Sequence, residues 1–113
     1  MAIRVVNKKT GGRGDYIGRP SVFGNPFVIG RDGSRADVIR KYRTWFWEQI
    51  EAGGALAKAF AKLLDRARAG EDINLVCWCA PLACHGDVIK QAIEDELRLD
   101  REQTAAEINA RTR

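Results

Sequence analysis

The chain has 113 residues, 45% of them hydrophobic and 30% charged, with a formal net charge of +4. That length and balance describe one globular domain that buries a core without disulfides or a structural metal. No apolar run approaches the ~18–20 residues of a membrane span and no signal-peptide h-region follows Met1, so no membrane association is expected and the location reads as cytoplasmic. The positive excess leans toward anionic partners.

In chain order, Ile3-Arg4-Val5-Val6-Asn7 reads as a short β-branched strand, followed by a polar, glycine-rich turn over residues 8–15. Residues 16–30 hold three glycines, two prolines and interleaved aromatics. They are too apolar for a free linker and too broken for a long strand. An ordered loop between the extended pieces Tyr16-Ile17 and Phe27-Val28-Ile29 is expected, each proline biasing Arg19 or Asn25 away from the helical region.

Ser34 with Asp37 three residues on resembles a capping box, with Asp where Glu or Gln is usual. Val38, Ile39, Tyr42, Trp45, Phe46 and Ile50 then follow helical periodicity to Gly53-Gly54. A second helix over residues 55–69 buries Leu56, Phe60, Leu63, Leu64 and Ala67. Residues 72–79 form the best strand, apolar enough to be covered on both faces as in a parallel sheet. A third helix over 86–99 buries Val88, Ile89, Ala92, Ile93 and Leu97. Residues 1–99 read as the α/β domain and 100–113 as a polar helical extension, frayed or packed on a partner. The alternation predicts a small Rossmann-like three-layer α/β fold, its short, mostly parallel sheet flanked by about three helices.

Every cysteine and the only histidine fall in Cys77-Trp78-Cys79-Ala80-Pro81-Leu82-Ala83-Cys84-His85-Gly86-Asp87. Three readings of this segment stand side by side. As a zinc site, Cys77, Cys79, Cys84 and His85 supply the N and S ligands that structural zinc favours, though C-x-C-x4-C-H is not a usual knuckle spacing. As a reactive thiol, Cys84 before a helix N-terminus gains thiolate character, with His85 relaying protons and Asp87 orienting it. As packing, the cysteines are small buried residues and Asp87 is a helix cap.

The loops after the two main strands should open on one edge of a parallel sheet, where α/β proteins bind ligands. Ligand contacts are accordingly expected from Arg19, as an anion anchor, and from Ser21, Gly24, Asn25 and Cys79. The alternative is a structural loop pinned by Phe23 and Phe27. Arg31, Arg40, Lys41 and Arg43 offer a second basic patch, of the kind that is usually a solvated helix face.

The pair Tyr16-Ile17-Gly18-Arg19-Pro20-Ser21…Gly24-Asn25-Pro26-Phe27 and Cys77-Trp78-Cys79-Ala80-Pro81…Cys84-His85-Gly86-Asp87-Val88 resembles a domain family of unknown function carried by bacteria and especially their phages. The resemblance covers about residues 3–93 and implies that the two motifs travel together, which suits one shared site. A more distant similarity to Rossmann-like nucleotide-binding domains is a fold-level analogy. The expected function is a phage-associated protein that binds or processes a nucleotide-like or other anionic small molecule, in the second case as a Cys-dependent transferase or hydrolase. The rival is a non-catalytic module, zinc-bound or homodimeric, that contacts nucleic acid.

Overall fold

A computed structural model describes residues 2–80 and 82–111. Strand β1 (Ile3–Asn7) is followed by a 3-10 turn (Lys8–Thr10), strand β2 (Asp15–Tyr16), helices α1 (Arg35–Ala52) and α2 (Ala55–Arg68), strand β3 (Ile73–Cys77) and helix α3 (His85–Arg111). The fold is α/β, as expected. β3 lies between β1 and β2 and runs parallel to both, with Ile3 opposite Ile73, Asn7 opposite Cys77 and Tyr16 opposite Val76. Parallel neighbours need a long crossover, and α1 with α2 supply it between β2 and β3. β1 and β2 are not neighbours, and residues 8–14 suffice to join them. β2 starts opposite Leu75, just short of the level of Cys77 at which β1 ends.

The strand alternation divides the sheet into two faces. Ile3, Ile73, Leu75 and Cys77 project into one cluster with Tyr42 and Phe46 of α1, Leu56, Phe60 and Leu63 of α2, and Val88, Ile89 and Ile93 of α3. The glycine-rich turn covers the other face. A Cβ on Gly12 would stand 2.8 Å from Cγ2 of Val6, and one on Gly14 would stand 2.3 Å from the Asn74 carbonyl oxygen. With φ at +150°, Gly14 is a position that only glycine fills. The layers are helices, sheet and ordered loop.

The capping box at the start of α1 is present, Ser34 and Asp37 exchanging hydrogen bonds. Three expected boundaries change. The central strand stops at Cys77 rather than running to Cys79. Beyond the last β1 pair the side chain of Asn7 replaces the ladder, Nδ2 donating to the carbonyls of Trp78 (3.2 Å) and Ala80 (2.7 Å). Phe27-Val28-Ile29 is not a strand, because side chains take its backbone donors. Asn25 Oδ1 accepts from Phe27 N–H, and Asp32 Oδ2 accepts from Val28 N–H. The third helix starts at His85 and continues unbroken through Arg111. Arg68 pairs with Asp100 at 2.8 Å, and Arg98 reaches Glu102 one turn on. Residues 101–111 are exposed on every side. Among the described residues no helix is long and apolar enough to cross a membrane.

Candidate functional site

The two sequence motifs meet where β3 gives way to α3. Ile17 extends the β2 pairing by donating its N–H to the Val76 carbonyl (2.9 Å), and its own carbonyl lies 2.7 Å from His85 Nε2 at the first turn of α3. Two consecutive turns, Ser21 N–H to Gly18 and Gly24 N–H to Ser21, fold the following loop back. The buried Tyr42 hydroxyl holds it by donating to the Phe23 carbonyl at 2.8 Å. Between this loop, the start of α1 and the start of α3 lies a cavity of about 270 Å³.

Arg19 and Asn25 line it from the loop, Arg35 from α1, and Cys77, Cys79, Cys84 and His85 from the second motif. Its apolar wall is Phe27, Val28, Ile29, Val38 and Ile39, with Trp78 beside Cys79. Gly24, Ser21 and Asp87 do not line it. Gly24 packs tightly, since a Cβ there would stand 3.1 Å from both the Arg19 Cα and the Ser21 carbonyl oxygen. The Ser21 hydroxyl oxygen is buried without a hydrogen-bond partner among the described residues. Asp87 sits on the first turn of α3, where its carboxylate accepts from Cys84 N–H (3.1 Å), a capping bond that uses a backbone donor otherwise left unpaired.

Cys77 and Cys84 are both buried, at 1% and 3% exposure, and their sulfurs are 3.5 Å apart. Of the three sequence readings of Cys84, as zinc ligand, reactive thiol or packed residue, its burial favours the last. Burial pushes its thiol up to about 12, with the Gly86 N–H, 3.3 Å from the sulfur, pulling the other way and Cys77 and Asp87 adding to the rise. Desolvation therefore outweighs the helix N-terminus. Cys84 is the helix cap, and its sulfur is committed to a backbone N–H and a neighbouring thiol.

His85 is buried as well, and its ring stands edge-on to Tyr42 with centroids 5.0 Å apart. Burial lowers its pKa, as does the Arg19 guanidinium, while the Ile17 carbonyl and Asp87 oppose the shift. A carbonyl only accepts, so the contact assigns the proton to Nε2 and leaves Nδ1 as an acceptor. This geometry does not fit the zinc reading of Cys77, Cys79, Cys84 and His85. Among the described residues no three His, Cys, Asp or Glu side chains gather as metal ligands.

The electrostatics of the cavity come from two arginines. Arg19 is exposed and makes no ion pair among the described residues. Arg35 donates to the Ala83 carbonyl at 3.0 Å. Among the described residues no carboxylate lines the space. The other basic patch is partly neutralised locally, Arg31 by Asp32 at 2.8 Å and Arg40 by Asp37 at 2.7 Å. Sequence reasoning missed Arg35 and Trp78. Arg35 directly follows the Ser34 cap, so its position was readable while its direction was not. Trp78 falls inside the strand expected over residues 72–79, which ends one residue before it.

Over 91 residues, 80% of this chain and 76% of the relative, the sequence is 34% identical to a protein of Enterobacteria phage T4 described as an uncharacterized 12.4 kDa protein in the nrdA-td intergenic region. No solved structure matches the chain at a significant level. Residues 4–95, which include both motifs and the whole cavity lining, match a family described as a domain of unknown function, DUF4326, and the chain belongs to that family.

Proposed function

We propose that the protein binds a small anionic, nucleotide-like molecule in the cavity between the Arg19 loop and the start of α3. One observation carries the reading: among the described residues the lining holds two arginines and no carboxylate, set against an apolar wall. Arg19 makes no ion pair among the described residues, and a guanidinium left in this way suits phosphate or carboxylate. The first turn of α3 adds a favourable backbone field for negative charge. The apolar wall gives the rest of the ligand a surface to cover. In this reading Cys84, His85 and Cys77 form the floor of the site. His85 contributes a fixed acceptor, and Cys84 stays a protonated thiol rather than a nucleophile.

Titration calorimetry with nucleoside monophosphates and the matching uncharged nucleosides tests the proposal. The expected result is saturable binding of the phosphorylated compounds, weakening with salt, and at least tenfold weaker binding of the nucleosides. Equal affinity for the two series, or none for either, would overturn it. Mass spectrometry of small molecules released from the purified protein identifies the natural ligand directly.

A further inference from the structure

We propose that Trp78 is the platform on which a planar aromatic ring of the ligand stacks, which makes the occupant a mononucleotide rather than a bare phosphate or a sugar phosphate. The inference rests on the anion-binding reading above and specifies its ligand class. Trp78 lines the cavity yet is 54% exposed. Lone exposed hydrophobic residues are common and need no explanation. This one differs in being held in place. Its indole N–H donates to the Tyr16 hydroxyl at 3.0 Å, and that hydroxyl donates to the Arg19 carbonyl at 2.8 Å.

The ring is thus tied, through one intermediary, to the backbone of Arg19, whose guanidinium makes no ion pair among the described residues. Fixing an aromatic surface before the ligand arrives removes part of the ordering cost of binding. The Lys8 ammonium, 4.9 Å from the Tyr16 ring centre and 5.6 Å from that of Trp78, adds positive charge on this side of the site. Size agrees with that class. The cavity of about 270 Å³ lies just below the usual ~300–1,000 Å³ of ligand pockets, a size in keeping with a mononucleotide.

The test compares a nucleoside 5′-monophosphate with ribose 5-phosphate by calorimetry on the full chain, in the wild type, Trp78→Ala and Trp78→Phe. The wild type should bind the nucleotide roughly ten- to a hundredfold more tightly, the range that one base–aromatic stack supplies. Trp78→Ala should reduce the nucleotide to the level of ribose 5-phosphate without changing the latter, and Trp78→Phe should keep most of the difference. Equal wild-type affinities, or a Trp78→Ala loss shared by both compounds, would overturn the platform and leave anion binding standing. Binding of neither compound would overturn the reading beneath it. Should Trp78→Ala fail to fold, tryptophan fluorescence decides: nucleotide quenches the wild type and not Trp78→Phe, while equal quenching in both counts against the platform.

Discussion

His85 Nε2 stands 2.7 Å from the carbonyl oxygen of Ile17, and this contact joins the loop after β2 to the first turn of α3. Because burial lowers the pKa of the ring from its ordinary 6.5, the unfolded chain takes up a proton before the folded one as pH falls. Stability should therefore be full above about pH 6.5 and decline as pH drops below it, levelling once the folded ring also protonates. The chain has no other histidine, so urea unfolding between pH 5 and 7.5 reads this residue. His85→Gln should be less stable at pH 7.5 and lose the slope; an unchanged slope would show that another group is responsible.

Arg19 and Arg35 should separate affinity from stability. Arg19 is exposed and unpaired among the described residues, so Arg19→Ala should leave the unfolding free energy within about 0.5 kcal/mol. The same change should weaken binding of a nucleoside monophosphate at least tenfold, since a hydrogen bond to a charged group contributes ~1.5–3 kcal/mol. Arg35→Ala should lower both quantities, because its guanidinium also holds the Ala83 carbonyl. A binding loss for Arg19→Ala smaller than twofold would remove Arg19 from the site.

Thiol labelling should find one accessible cysteine. Cys79 is partly exposed, whereas Cys77 and Cys84 are buried and the Cys84 thiol is pushed up to about 12. A maleimide at pH 7 should modify Cys79 first and reach all three only in denaturant. If Cys84→Ser abolishes the fast phase instead, Cys84 is the reactive thiol and its role in the site has to be rewritten.

Gly86→Ala sets two effects against each other. Alanine is favoured over glycine in a helix by up to ~1 kcal/mol. Here its Cβ would stand 2.8 Å from Cδ1 of Ile17 and 3.0 Å from Cγ1 of Val5, where α3 packs against β1 and the Arg19 loop. Overpacking of that kind costs ~1–3 kcal/mol. A net loss of about 1 kcal/mol or more is expected in chemical denaturation, with weaker ligand binding as α3 is displaced. A stabilised variant would mean that Ile17 yields freely.

The α/β class, the three helices and the parallel pairing were readable because each rests on periodicity or caps that act locally: Ser34 with Asp37, Gly53, the Val88 to Leu97 stripe. The meeting of the two motifs was readable too, since parallel strands send their following loops to the same edge. What escaped was decided by side-chain capture across the chain. Nothing near Cys77 in sequence reports that Asn7, seventy residues earlier, ends the strand there. The three readings of Cys84 stayed open for a related reason. Its place before a helix is local information, whereas its burial in the core cluster that also holds Ile17, Tyr42 and Ile73 is not.

The position of β3 between β1 and β2 also orders events in time. A growing chain that has emerged as far as the end of α2 holds two strands with no partner for either, since the strip that joins them is residues 73–77. None of the sheet can pair until residues 73–77 have been made. Most of its contacts span some seventy residues, so closing the sheet is a long-range and comparatively slow step. Until then α1 and α2 can associate only with each other, and the half of the site that carries Arg19 waits for the half that carries His85.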